Sequence, residues 1–184
     1  WGGNVVVELA ATHPGLAAGV VGVDGGTIEL AERFESWEAC ADALRPPPMV
    51  GTPLADLERM LRSTHPDWPE SGIQGTLACF EVRGDGTIAP WLTLDRHLLV
   101  LRGLWEHRPS QRYDRIADPV LLLGADPGPA ESDRHRDKVR SHEAAAAALR
   151  DARVEWLRGD HDLHAQHPER VAELLTRFAD EIES

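Results

Sequence analysis

At 184 residues the chain is long enough for one domain with a sizeable core, and its 42% apolar and 27% charged residues are those of a folded protein. A formal charge of −12, from 31 acidic and 19 basic side chains, repels phosphate backbones and argues against nucleic acid as a partner. The longest apolar runs, around Val120 to Gly124 and Ala144 to Leu149, are far too short to span a bilayer.

Trp1 to Ala11 opens with two glycines and places Val5, Val6, Leu9 and Ala10 at helical spacing, so a helix is expected, stopped by His13-Pro14-Gly15. Val20, Val21 and Val23 then form a short apolar run that ends in Asp24-Gly25-Gly26, the pattern of a buried strand followed by a turn. From about Phe34 to Tyr113 prolines cluster, with helical patterns at Trp37 to Leu44, Leu54 to Ser63 and Thr93 to Trp105. Within that stretch FEVRGDGTIAPWL reads as an extended segment turning at Gly-Asp-Gly. The stretch is expected to be a mostly helical insertion that does not join the sheet.

A strand-and-helix rhythm resumes at Val120 to Leu123, a buried strand running into Asp126-Pro127-Gly128. Asp133 to Leu149 reads as a helix, Arg153 to Leu157 as a strand closed by Gly159-Asp160, and Pro168 to Ile182 as a terminal amphipathic helix. The two cysteines, Cys40 and Cys79, lie far apart without Cys-x-x-Cys spacing, and the expectation is two reduced, buried thiols in a cytoplasmic protein. The chain starts at Trp1 rather than at a methionine, so the lack of a visible signal peptide carries little weight.

In parallel sheets functional groups gather beyond the carboxyl ends of the strands. Three such loops carry Asp24, Asp126 and the cluster Asp160-His161-Asp162. His161 follows a strand directly and precedes the helix that closes the chain, a rigid mount for an imidazole able to act as a general base near neutral pH. Asp126 ends the preceding strand and is a candidate to accept the second ring N–H of His161; read alone, it is equally a turn aspartate. Trp1-Gly2-Gly3 is the pattern that follows the serine of a strand-to-helix Gly-x-Ser-x-Gly elbow. His161, His164 and His167, with Asp160 and Asp162, offer the nitrogen and oxygen donors of a metal site. Their spacing spreads too widely round a helix, and His167 precedes Pro168, so no metal site is expected. Trp37, Trp68, Trp91 and Trp105 in the insertion fit either an apolar substrate pocket or the packing of helices on the core.

Taken together, WGGN opening a helix, VVGVDGG as the next strand, the helical insertion, PVLLLGAD as a strand ending in acid, and GDHDLHAQHPERVAELL as a histidine loop with its terminal helix resemble the C-terminal part of an α/β-hydrolase with an inserted helical lid. The resemblance covers the whole chain. It implies the C-terminal portion of a mostly parallel sheet with helices on both faces, divided into core at 1–33, lid at 34–113 and core again at 114–184. It implies His161 as general base, Asp126 as its acid, the backbone N–H of Trp1 as one oxyanion-hole donor, and a serine immediately before Trp1. Many relatives carry the acid one residue further along, where this chain has Pro127, and some carry it after the earlier strand, which makes Asp24 the alternative acid. The implied activity is a serine ester or acyl hydrolase of small ester-like or apolar substrates, needing no cofactor, with the isolated chain inactive for want of its nucleophile. An aspartate nucleophile would instead imply an epoxide hydrolase or dehalogenase, and neither residue a non-catalytic lidded binding protein. The truncated sheet would also expose an unpaired strand edge.

Overall fold

A computed structural model describes residues 1–126 and 133–183. In chain order the elements are α1 (Gly2–Thr12), β1 (Val20–Val23), α2 (Leu30–Arg33), α3 (Trp37–Ala43), α4 (Leu54–Thr64), α5 (Glu70–Leu77), β2 (Phe80–Val82), β3 (Ile88–Pro90) and α6 (Leu94–Glu106). Two short 3-10 turns, Pro109–Gln111 and Tyr113–Arg115, lead into β4 (Val120–Asp126), α7 (Asp133–Ala148), β5 (Ala152–Arg158), α8 (Leu163–Gln166) and α9 (Pro168–Glu183).

Three strands form a parallel sheet in the order β1-β4-β5, with Val20 opposite Val120 and Val120 opposite Ala152. The central strand explains its own composition. Covered on both sides, β4 is apolar and buried from Val120 to Ala125 without alternation. On one face Val20, Val120, Leu122 and Val154 pack against α1, against Ala145 of α7 and against Leu149 just beyond it. On the other, Val23, Leu123, Ala125 and Leu157 pack against Leu163 of α8 and Val171, Leu174 and Leu175 of α9. At the margin β5 alternates instead, and its polar positions pair with α9 through Arg153–Glu181 and Arg177–Glu155.

The segment between β1 and β4 does not enter this sheet. It forms helices and a separate antiparallel hairpin of β2 and β3, turning at Gly86 with φ of 79°. Within it Leu57, Leu61, Trp68, Ile73 and Ile88 form one cluster, closed by Ala165 of α8, and Leu30, Cys40 and Leu101 form another. Three short helices, α2, α5 and α8, are not anticipated from the sequence. Glycines and threonine dilute the apolar period of α5, and α8 spans a single turn. Cys40 is buried as expected, whereas Cys79 is exposed at the start of the hairpin; both thiols are free. Residues 127 and 128 of the expected Asp126-Pro127-Gly128 turn lie outside the described residues, and Asp126 itself is the last residue of β4. Among the described residues no helix is long and apolar enough to cross a membrane.

The start of α1 is pressed against the turn after β1. A Cβ on Gly3 would lie 2.4 Å from the backbone nitrogen of Gly26 and 2.5 Å from the carbonyl carbon of Gly25, whereas one on Gly2 would meet nothing within 4 Å. Backbone cannot retreat as a flexible side chain can. Gly3→Ala should therefore cost about 1–3 kcal/mol in urea unfolding followed by tryptophan fluorescence, while Gly2→Ala leaves the midpoint unchanged or higher. Equal effects at the two positions would contradict this packing.

Candidate active site

Asp24, Asp126 and the Asp160–Asp162 loop all stand at the carboxyl edge of the parallel sheet, beyond β1, β4 and β5. Asp24 is the most constrained of them. It is the one non-glycine residue with positive φ among the described residues, at 44°. Aspartate is among the side chains that tolerate this left-handed region. The bend is followed at once by Gly25 and Gly26, the two residues that touch Gly3. The chain thus leaves β1 sharply, and the Asp24 side chain, only 3% exposed, lies across the end of β4.

There the carboxylate is fully engaged. Its Oδ1 accepts the backbone N–H of Ala125 at 2.8 Å. Lys138 of α7 donates to Oδ1 at 2.9 Å and to Oδ2 at 3.0 Å, and its ammonium also reaches the Ala125 carbonyl at 3.1 Å. The remaining partner of Oδ2 is His161 Nδ1, at 2.7 Å. The His161 side chain is 60% exposed, so one edge of the ring is anchored on a buried acid and the other is presented outward.

The sequence reading preferred Asp126 as the partner of His161, with Asp24 the alternative. In the structure the carboxylate on the ring is that of Asp24. Asp126 ends β4, one strand nearer to β5. The left-handed bend at Asp24, together with the Ala125 N–H that receives it, carries the more distant carboxylate past β4. At Asp126 the backbone carbonyl accepts the Gly159 N–H at 2.9 Å and so joins the strand end to the histidine loop. His164 is exposed and His167 half-buried, and no group of three or more His, Cys, Asp or Glu side chains among the described residues is arranged to hold a metal ion.

Lys138 was not singled out from the sequence, although a signal was available: it is the only lysine in the chain, its 18 other basic residues being arginine. The sequence also gave no hint of how the intervening segment grips the histidine loop. Asp160 Oδ2 accepts the Trp68 indole N–H at 3.2 Å and sits 3.3 Å from His65 Nδ1, and the His65 and Trp68 rings stack at 3.9 Å. Gln166 accepts the Asp160 N–H at 2.8 Å and donates to Asp67. Of the other tryptophans, Trp37 and Trp105 are half-buried packing residues and Trp91 is exposed. A hollow of about 540 Å³ beside the loop is lined by Asp67, Leu157, Gly159, Asp160, Gln166 and Arg170, without His161.

Burial alone would push the Asp24 carboxyl upward. The bonds from His161, Ala125 and Lys138 outweigh it and hold the group down to about 2. In turn the Asp24 hydrogen bond raises His161 above its ordinary value against the effect of burial; Asp162 adds to the rise, and the amino group of Trp1 opposes it. The depressed acid contributes stability that is present above about pH 4 and lost as pH falls toward 2. The raised base contributes stability that is full below about pH 6.5 and lost as pH climbs through its folded-state value. The melting-temperature difference between the wild-type chain and His161→Ala is therefore expected to be greatest between these limits and to shrink above pH 7. A difference independent of pH would contradict the ion pair.

Neither a protein-family model nor a curated relative matches the sequence. Solved structures do. The chain is similar to E-2-(acetamidomethylene)succinate hydrolase, with a TM-score of 0.71 at 22% identity over 97% of this chain and 63% of that one. It is similar to a thioesterase domain from the curacin biosynthetic pathway (TM-score 0.62, 16% identity, 95% and 63%) and to an esterase from Mycobacterium tuberculosis (0.59, 17%, 97% and 57%). The chain thus spans less than two thirds of the length of these structures. With a parallel sheet covered by helices on both faces and this set of structural neighbours, the chain has the α/β-hydrolase fold.

Proposed function

We propose that the chain is the acid-and-base portion of a serine ester or acyl hydrolase, with His161 as general base, Asp24 as its orienting acid and the nucleophile immediately upstream of Trp1. The observation that carries this reading is the 2.7 Å bond from His161 Nδ1 to a buried, anionic Asp24 at the carboxyl edge of a parallel sheet. With Nδ1–H donated to the acid, Nε2 is the nitrogen available to the nucleophile, and the tautomer is fixed. Support also comes from the start of α1, which is seated against the turn that follows Asp24, where Gly3 meets Gly25 and Gly26.

In this mechanism the serine hydroxyl gives its proton to His161 Nε2 as its oxygen attacks the ester carbonyl. The backbone N–H of Trp1 and one upstream donor hold the oxyanion. Collapse breaks the carbonyl–oxygen bond, and the leaving alcohol takes the proton from His161. Water then loses a proton to His161 and attacks the acyl-enzyme, and the acid product leaves as that proton returns to serine. Throughout, Asp24 stays anionic and stabilises the imidazolium. Residues 34–113 would serve as the lid, an assignment supported by their standing outside the parallel sheet and by their hold on the histidine loop through Trp68 and Asp67. The neighbours that are esterases or thioesterases favour small ester-like or apolar substrates.

The test is the coding sequence directly upstream of Trp1, followed by labelling with a fluorophosphonate probe. A Gly-x-Ser ending there, labelling of the extended protein, no labelling of the 184-residue chain, and a loss of at least about 10⁴-fold in kcat/KM for His161→Ala are expected. An upstream aspartate, or triad-dependent turnover by the 184-residue chain, would overturn the reading.

A further inference from the structure

The Asp24 carboxylate serves two cations, and only one of them has a role in the hydrolysis above. Lys138 is held as firmly as His161. Its ammonium donates three hydrogen bonds, two to Asp24 and one to the Ala125 carbonyl, and its side chain is only 24% exposed. An arginine at this position would bring a planar five-donor fork. The compact ammonium fits between a carboxylate and a carbonyl, and this is the one place where the chain uses lysine. A buried aspartate bonded to a histidine alone would give its full charge to the imidazolium and make the ring a strong base. Shared with a permanent cation, it gives less.

We propose that Lys138 is a positioning residue for the Asp24–His161 pair: it fixes the carboxylate with Oδ2 toward the ring, and its charge keeps His161 a weaker base than an unshared aspartate would make it. The reason lies in proton transfer. A general base works best when its proton affinity is matched to the working pH, since an imidazole that stays protonated cannot accept the nucleophile's proton. Lysine and aspartate together place a neutral pair beneath the ring, rigid enough to orient it while limiting how far the carboxylate raises its proton affinity. Other groups surround the pair: Asp162 on the histidine loop raises His161, the amino group at the start of the 184-residue chain lowers it, and His142 of α7 bonds the Lys138 carbonyl at 2.9 Å. His142 is 2% exposed, and burial lowers its proton affinity, whereas that of His161 is raised.

The inference rests on the reading of Asp24 and His161 as acid and base, and one set of ring-nitrogen NMR titrations on the 184-residue chain separates the two. Lys138→Met should raise the His161 midpoint by about one unit, and Lys138→Arg, which restores charge without the ammonium's shape, should bring it back toward wild type. Asp24→Asn should lower the midpoint below wild type. If Asp24→Asn leaves it unmoved, the acid–base reading itself fails. If Asp24→Asn lowers it and Lys138→Met changes nothing in a folded chain, only the role of Lys138 is overturned. Should Lys138→Met fail to fold, the wild-type chain still decides. Labelled with [6-13C]lysine it gives a single Cε signal, which must shift with the same midpoint as the His161 ring; a Cε signal indifferent to that titration would overturn the proposal.

Discussion

The site depends on one buried carboxylate. Asp24 leaves β1 in a left-handed bend, crosses the end of β4 and collects an amide, an ammonium and an imidazole within hydrogen-bonding distance. Each donor belongs to a different element, so the carboxylate joins β1, β4, α7 and the histidine loop at a single point. A charge buried to this degree is tolerated only when it is so fully bonded. Removing any one donor leaves part of that requirement unmet. The arrangement therefore constrains the fold as well as the chemistry.

Around this point the glycines make the geometry possible. Gly25 and Gly26 turn the chain after Asp24, and Gly3 lets α1 close directly onto that turn. On the opposite side of the loop, Trp68, His65 and Asp67 from the intervening segment grip Asp160 and Gln166, the residues flanking His161 in sequence and space. The imidazole is thus held from below by the core and from beside it by the insertion. Its exposed edge is the only part left to respond to a substrate.

Much of the framework was legible because its causes are local. The unbroken apolar run of β4 requires burial on both faces. The period of α9 requires one buried stripe, and Gly-Asp-Gly requires a turn between β2 and β3. His161 could be picked out as the histidine directly behind a strand. The acid could not be chosen this way, because Asp24 and Asp126 both end apolar strands at the same edge of the sheet. What separates them is a backbone bend and an amide on another strand, neither of which leaves a sequence period. Lys138 was missed for a related reason. Within a charged helix it resembles a solvated residue, and only its status as the lone lysine marked it. The grip of Trp68 on Asp160 joins residues 92 apart in sequence and had no signal to find.

The choice of acid is the claim on which the functional account turns. In the protein that carries the upstream nucleophile, kcat/KM for a p-nitrophenyl ester should be measured for Asp24→Asn and Asp126→Asn at the pH optimum of the wild type. The account predicts a loss of about 10⁴-fold for Asp24→Asn, with Asp126→Asn staying within about tenfold of wild type. The reverse pattern, with Asp126→Asn inactive and Asp24→Asn near wild type, would contradict it.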